Sequence, residues 1–545
     1  MRERTGALNA GAYATLFFVL LGIVLVLCYH FVPNGLYADD FGIKYIQMRS
    51  FCINDWKSLS LVYPAKDLDP EYTFIGTHRK WLLHNGRLIS SYQVLLPFMT
   101  SFLYPFLGER CVLFFPLLAF WVGALFFYKI MRLLKPKYAL ILTIIYVCVN
   151  PTSLYAITFW DHVPLLAFLV TGLYLFTRSV YDDPKKIRYM VAGSACIALT
   201  IFFRTECYGL IVAFLGPVGL YFLLKKRWRE VAAIVAGTGF VVGLHCAVNQ
   251  WLYGTIFGLH VTCNPPPRFI QFDKLVVVIA FIGTWIWLSM TSRRSSSDQS
   301  FDLLCVLLWS GYIVLLLQES VTDRVFIEYP LSIFLLWFYA VKAEGPDQER
   351  FGAYDVNTLL KLFFIVFIIF MTLVGILFYR NPDNNVRYLL PMIPFVMIAI
   401  GIRFEDIIKR KNIFVVFIFL CIATIGCVVF RFRCDILYFK QLNAERTTFI
   451  EEFTDDGDII VFTRNSLFEH AGLKYFDRRM LVARNNDEFA DMLSTFNARG
   501  VETFYYMTAS QALPLDLLQH HGNYAITAKK TFKVYDLFTF SRLNV

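Results

Sequence analysis

Residues 34 to 51 read NGLYADDFGIKYIQMRSF and place two adjacent carboxylates, Asp39 and Asp40, directly after an apolar run from Tyr13 to Val32. A run of about 20 apolar residues crosses the hydrocarbon core of a bilayer as a helix, so the pair stands at a lipid edge. Other polar groups recur at comparable places. Lys80 and Arg87 follow in the same segment as His78, Asp161 and His162 sit in NPTSLYAITFWDHVPLLAFLV, Arg204 and Glu206 in FFRTECYGL, and Arg387 and Tyr388 in RNPDNNVRYLLPMIPF. Transfer of a sugar from a lipid phosphate needs such a set: a base for the proton of an acceptor hydroxyl, and cations for the departing phosphate. A carboxylate near lipid is made more basic by desolvation and less basic by neighbouring Arg or Lys, which can leave it ionised yet able to take a proton. The planar fork of Arg suits phosphate oxygens. Phosphate already leaves readily, so the chemistry requires no metal and no cofactor.

Each group also has a plainer reading. Phe41, Tyr45, Met48 and Cys52 recur three to four residues apart, which predicts an amphipathic helix suited to a membrane surface. A carboxylate at its N-terminus would satisfy free backbone N–H groups and meet the positive end of the helix dipole. One carboxylate is enough for that; two beside a lipid boundary call for more. Asp161 could likewise cap the following helix, with Pro164 in its first turn. Arg204 and Glu206 could be a snorkelling side chain or a simple ion pair.

The elements that must position these residues follow from composition. Of 545 residues, 57% are hydrophobic and 17% charged, against about a quarter charged in a soluble domain. Apolar windows predict membrane spans near 13–33, 110–131, 138–156, 162–178, 188–203, 207–224, 230–252, 274–290, 301–318, 325–341, 358–378, 388–402 and 412–430. The net charge of +10 is spread between these runs, where topology explains it and nucleic-acid binding is not indicated. Alternate connections are basic, among them MRLLKPK, KKRWR, TSRRSSS and RFEDIIKRK. The positive-inside rule therefore assigns that set to the cytoplasm and the Asp39/Asp40 loop and C-terminal tail to the other side. The N-terminal run lacks a cleavage site and is expected to be retained as the first span.

Residues 88–108, LISSYQVLLPFMTSFLYPFLG, would invert every later loop if they crossed. They are expected to form an interfacial helix interrupted at Pro97 and Pro105. The first outer loop then runs from 34 to 109. After Arg431 the pattern changes: 458–462, 479–484, 501–507 and 531–540 read as strands, and 485–500 as a helix with apolar Phe489, Met492, Leu493 and Phe496. A polytopic α-helical membrane part over 1–430, with about 13 transmembrane helices, and a small extracytoplasmic α/β domain over 431–545 are the expected organisation.

In these stretches the chain resembles the GT-C superfamily of polyprenyl-phosphate-sugar glycosyltransferases, which includes protein O-mannosyltransferases and aminoarabinose transferases. The acidic pair opening an interfacial helix in the first outer loop matches ADDFGIKYIQM, and the second interfacial helix matches HNGRLISSYQVLLPFMTSFLYPFLGERC. The second acidic position at the outer entry to the fourth span matches Asp161, and a late RYLLP..P at the outer end of a span matches Arg387 to Pro394. NGR at 85–87 stands where many members have a Lys-Pro-Pro-like segment, and Asp-Asp replaces Asp-Glu.

The resemblance implies an inverting, metal-independent glycosyltransferase on the extracytoplasmic face, most simply of a plasma (inner) membrane. Its donor would be a polyprenyl-phosphate-linked sugar and its acceptor a glycan, lipid or protein. Asp39 would be the general base, Asp40 and Asp161 would orient base or acceptor, and Lys80, Arg87, Arg204, Arg387 and Tyr388 would serve the phosphate, with His162 and Glu206 behind them. A polysaccharide polymerase or ligase is the alternative within the enzyme class. A transporter would carry its ionisable residues near the bilayer midplane, and a scaffold would tolerate loss of both Asp39 and Asp40.

Overall fold

A computed structural model of the chain describes residues 2–75, 80–181, 186–258, 390–509, 523–533 and 535–543. The spans expected at 274–290, 301–318, 325–341 and 358–378 lie outside the described residues. The chain divides into two compact units, Met1–Leu25 with Leu117–Ala156 and Asp161–Arg431, and Val26–Pro116 with Ile157–Trp160 and Phe432–Val545.

The first unit holds most of α1 (Arg2–Phe31) and α5 (Cys111–Leu134) and all of α6 (Ala139–Cys148), the short α7 (Thr152–Tyr155), α8 (His162–Tyr181), α9 (Lys186–Leu199), α10 (Cys207–Leu224), α11 (Trp228–Tyr253), α12 (Ile393–Lys409) and α13 (Lys411–Arg431), which fall on predicted spans. Among the described residues, six helical stretches are long and apolar enough to cross a membrane. Their outward side chains are apolar: Leu16, Val19, Phe240, Trp251, Phe419 and Ile422 are all exposed. In water such a surface is unfavourable, whereas lipid tails solvate it. The protein is an integral membrane protein.

Small residues set the helix crossings. A Cβ at Gly172 of α8 would lie 2.8 Å from the Gly193 carbonyl oxygen of α9, and Gly237 of α11 sits against Ser194 and Val191 of α9. Helices in lipid gain no hydrophobic driving force from meeting, so close backbone approach and dispersion hold them. α12 is the innermost element, buried from Ile393 through Phe404.

The second unit contains α2 (Asp39–Ile53), a hairpin of β1 (Trp81–His84) and β2 (Arg87–Ser90), the short helices α3 (Leu95–Ser101) and α4 (Tyr104–Leu107), and the C-terminal α/β part. That part comprises α14 (Tyr438–Phe453), β3 (Ile459–Phe462), α15 (Asn465–His470), β4 (Arg479–Val482), α16 (Asn486–Ala498), β5 (Thr503–Ala509), β6 (Tyr524–Phe532) and β7 (Tyr535–Arg542). The sheet order is β4-β3-β5-β7-β6. β3 runs parallel to β4 and β5, as crossovers through α15 and α16 require, and β7 is antiparallel to β5 and β6. α16 buries Phe489, Met492, Leu493 and Phe496, the apolar stripe read from the sequence, and Asn485 caps it by accepting from the Glu488 N–H at 2.8 Å.

Three expectations are corrected. Residues 88–90 are strand, because Asn85 (φ 49°) and Gly86 (φ 71°) form a tight turn, the Asn-Gly geometry that closes two-residue hairpins. Residues 531–540 are the ends of two strands that reverse at Lys533 (φ 53°). α2 does not present an open polar face, since every residue from Phe41 through Met48 is buried.

Much of the burial of α2 comes from the C-terminal part, with α3 covering another side through Phe51 and Phe98. Ile43 and Ile46 of α2, with Leu61, Tyr63, Phe74, Trp81 and Leu88 of the loop after it, share one core with Ile460, Met480, Phe496, Phe504 and Phe540. The Val482 N–H donates to the Phe74 carbonyl at 2.8 Å. Asp69, buried within that loop, accepts from the Tyr63 hydroxyl at 2.8 Å and from the Thr73 and Phe74 N–H groups at 2.7 and 2.9 Å.

Candidate active site

The approach to the acidic pair is held by α14. Lys440 donates to the Gly35 carbonyl at 2.9 Å and Asn443 to that of Leu36. Any Cβ at Gly35 would strike the Lys440 carbonyl, so the turn before the pair lies flat on the α14 backbone. α2 then starts at Asp39 with Ala38 extended before it, and the Phe41 N–H donates to the Ala38 carbonyl at 3.0 Å. The side chain of Asp39 lies outside what is described. Asp40 follows in the first turn, where the helix dipole favours negative charge.

The Asp40 carboxylate does more than sit on a helix end. It accepts a hydrogen bond from the Tyr92 hydroxyl and lies 3.5 Å from the Lys80 ammonium. The Lys44 ammonium lies 5.4 Å from the centre of the Tyr92 ring, a cation–π contact that helps fix the phenol. Phe41 packs edge-on against Trp160, 5.3 Å between ring centres. The result is a carboxylate and a cation at the start of one buried helix.

Lys80 has a second anion, Glu469 of α15, at 2.9 Å. Sequence reasoning missed this residue: it lies 389 positions away, in the short segment NSLFEH, which has too few turns to show a period. A further polar chain on α2 was also missed. Tyr45 and Asn34 donate to Glu109 at 3.3 and 3.0 Å, and Arg49 donates to the Tyr45 hydroxyl at 3.1 Å while covering the Tyr104 ring at 4.5 Å. Burial pushes the Tyr45 hydroxyl well above its usual pKa, with the Glu109 charge acting the same way, so Tyr45 stays a neutral donor.

Arg87 is placed differently. It opens β2 opposite His84 and is exposed, whereas Lys80 precedes β1 beyond the Trp81–Ser90 pair. Four residues of strand, about 13 Å at ~3.3 Å each, separate it from the carboxylate end of the hairpin.

In the other unit, Asp161 immediately precedes α8, and its carbonyl accepts from the Leu165 N–H at 3.0 Å. Its side chain is 3.9 Å from Arg204, which also pairs with Glu206; both carboxylates are buried and Arg204 is partly buried. The His162 ring stacks on Tyr155 at 5.7 Å. Arg204 thus bridges two carboxylates, as Lys80 bridges Asp40 and Glu469. Arg387, Tyr388 and His78 lie outside the described residues.

Fold and site together define an integral membrane protein with a helical membrane part, a small α/β domain, and paired carboxylates with a lysine at a helix start after its first span. No family model matches the chain, and no curated protein does. Among solved structures it is similar to ArnT from Cupriavidus metallidurans bound to undecaprenyl phosphate, with 13% identity and a TM-score of 0.46, covering 96% of this chain and 98% of that one. It is similar also to the same protein in the apo state, with 13% identity and a TM-score of 0.47, covering 97% and 98%.

Proposed function

We propose that the protein is a membrane glycosyltransferase that moves a sugar from a polyprenyl-phosphate donor to a hydroxyl of a glycan, lipid or protein on the extracytoplasmic face of a plasma (inner) membrane. The observation that carries this reading is the acidic pair at the N-terminus of α2 with the Lys80 ammonium 3.5 Å from Asp40. Asp39 takes the proton of the acceptor hydroxyl. The oxygen attacks the anomeric carbon from the side opposite the phosphate, the carbon–oxygen bond to phosphate breaks, and polyprenyl phosphate leaves with inversion. Asp40, held by Tyr92 and Lys80, orients the acceptor beside the base, while Lys80 offers charge to the phosphate.

The test is release of polyprenyl phosphate from radiolabelled polyprenyl-phosphate sugars in membranes that supply native acceptors. Wild type should consume one donor, and Asp39→Asn or Asp40→Asn should turn over about 10²- to 10⁴-fold more slowly, the usual loss on removing a general base. Variants that match wild type on every donor would reduce the pair to a helix cap. Retention of the anomeric configuration in the product would overturn the single displacement.

A further inference from the structure

We infer that Glu469 is a positioning residue of the candidate active site: the C-terminal α/β domain supplies the carboxylate that holds the Lys80 ammonium beside Asp40. This inference rests on the transferase reading above. Lys80 lies at the point where the first loop returns toward α2, and its ammonium is 2.9 Å from Glu469 and 3.5 Å from Asp40. The Glu469 side chain is 2% exposed and that of Lys80 29%, so the Glu469 contact is less screened by solvent than an ordinary surface pair. Coulomb attraction strengthens with burial and with the shorter distance, so Glu469 determines where the ammonium rests and leaves Asp40 the looser partner.

The backbone fixes Glu469 independently of that ion pair. The α15 main chain at Glu469 presses on Gly42, three residues after the start of the acidic pair: an added Cβ at Gly42 would strike the Glu469 carbonyl oxygen and lie 2.7 Å from its carbon. Gly472, just after α15, would place its own Cβ 3.0 Å from the Gly42 Cα. Two glycine contacts therefore seat α15 on the first turn of α2. A Glu anchored there by main chain, reaching the lysine that also meets Asp40, has a geometric role that a loop lysine on a flexible stem could not fill alone.

The test compares wild type with Glu469→Gln, which keeps the shape and removes the charge. Two quantities are read: donor turnover, split into kcat and KM, and the rate at which Lys80 is acylated at pH 8 by acetic anhydride, followed by peptide mass spectrometry. Removing the carboxylate should lower kcat about tenfold and raise the neutral-amine fraction of Lys80, so that acylation quickens severalfold, up to about tenfold per pKa unit. If Glu469→Gln unfolds, Glu469→Asp, which keeps the charge and shortens the reach, is read the same two ways against wild type and should show a lower kcat and a faster Lys80 acylation, each by severalfold or less. Unchanged Lys80 acylation, or a kcat within about twofold of wild type with the fold intact, overturns the inference. If wild type transfers no sugar, the transferase reading fails, and the acylation rates alone decide whether Glu469 holds Lys80.

Discussion

Asp40 and Arg204 show how much a residue's partners decide what its charge is free to do. Asp40 shares Lys80 with Glu469 and keeps part of its carboxylate accessible, whereas Arg204 is enclosed by Asp161 and Glu206. Carboxylates elsewhere in the same unit as Asp40 show the opposite pulls on acidity. Burial holds Asp69 above its ordinary pKa of 3.8 despite three hydrogen bonds; its folded form binds a proton more readily than the unfolded chain, so its contribution to stability declines as pH rises through that range. Asp536 is held below 3.8 by the Thr531 hydroxyl, which donates at 2.7 Å, and by Lys529 at 3.1 Å. Its folded form binds the proton less readily, so its contribution is present above the ordinary value and is lost as pH falls through the depressed one. Asp536→Asn should therefore cost about 0.5 kcal/mol at pH 7, and thermal unfolding should show the gap to wild type closing as the pH is taken below that of an ordinary Asp. A gap independent of pH would mean the pair contributes through packing alone.

Elements differ in how far their sequences announce them. α16 was legible because four apolar residues at helical spacing fall between an Asn cap and a terminal Gly, and β3, β4 and β5 because short β-branched and aromatic runs are bounded by turns. The two hairpins were not. The apolar run from 88 to 108 looks helical as a whole, although Asn85-Gly86 carries a turn signal, and the reversal at Lys533 has no Gly to mark it. The acidic pair and Lys80 could be picked out by residue type within one loop, and the structure brings Lys80 to 3.5 Å from Asp40. Glu469 could not be picked out, because nothing local to α15 encodes what it meets. The same contact makes α2 sensitive at one position. Gly42→Ala should force α15 away from α2 and cost about 1–3 kcal/mol, seen as a lower Tm. Gly426→Ala in α13, where nothing lies within 4 Å of the added carbon, should leave Tm unchanged or raise it.

At the scale of the molecule, the first loop and the C-terminal α/β part lie in one compact unit joined through a common core. A chain ended after Arg431 would lose the strands on which Leu61, Tyr63, Phe74 and Trp81 rest. Limited proteolysis of that chain should cut between residues 61 and 90 about tenfold faster or more than in the full-length protein, as expected when local opening no longer costs a buried core. Equal protection would mean that the loop closes on itself.

That shared core also sets a schedule. The helix bearing Asp39 and Asp40 leaves the ribosome early, but the strand that completes the sheet beneath its loop ends at Arg542. At about 5–20 residues per second, the acidic pair waits on the order of 20–100 s for its last supporting strand. During that interval the segment holding Asp39, Asp40 and Lys80 is without its seat, so the arrangement that the proposed reading requires is assembled only after synthesis ends.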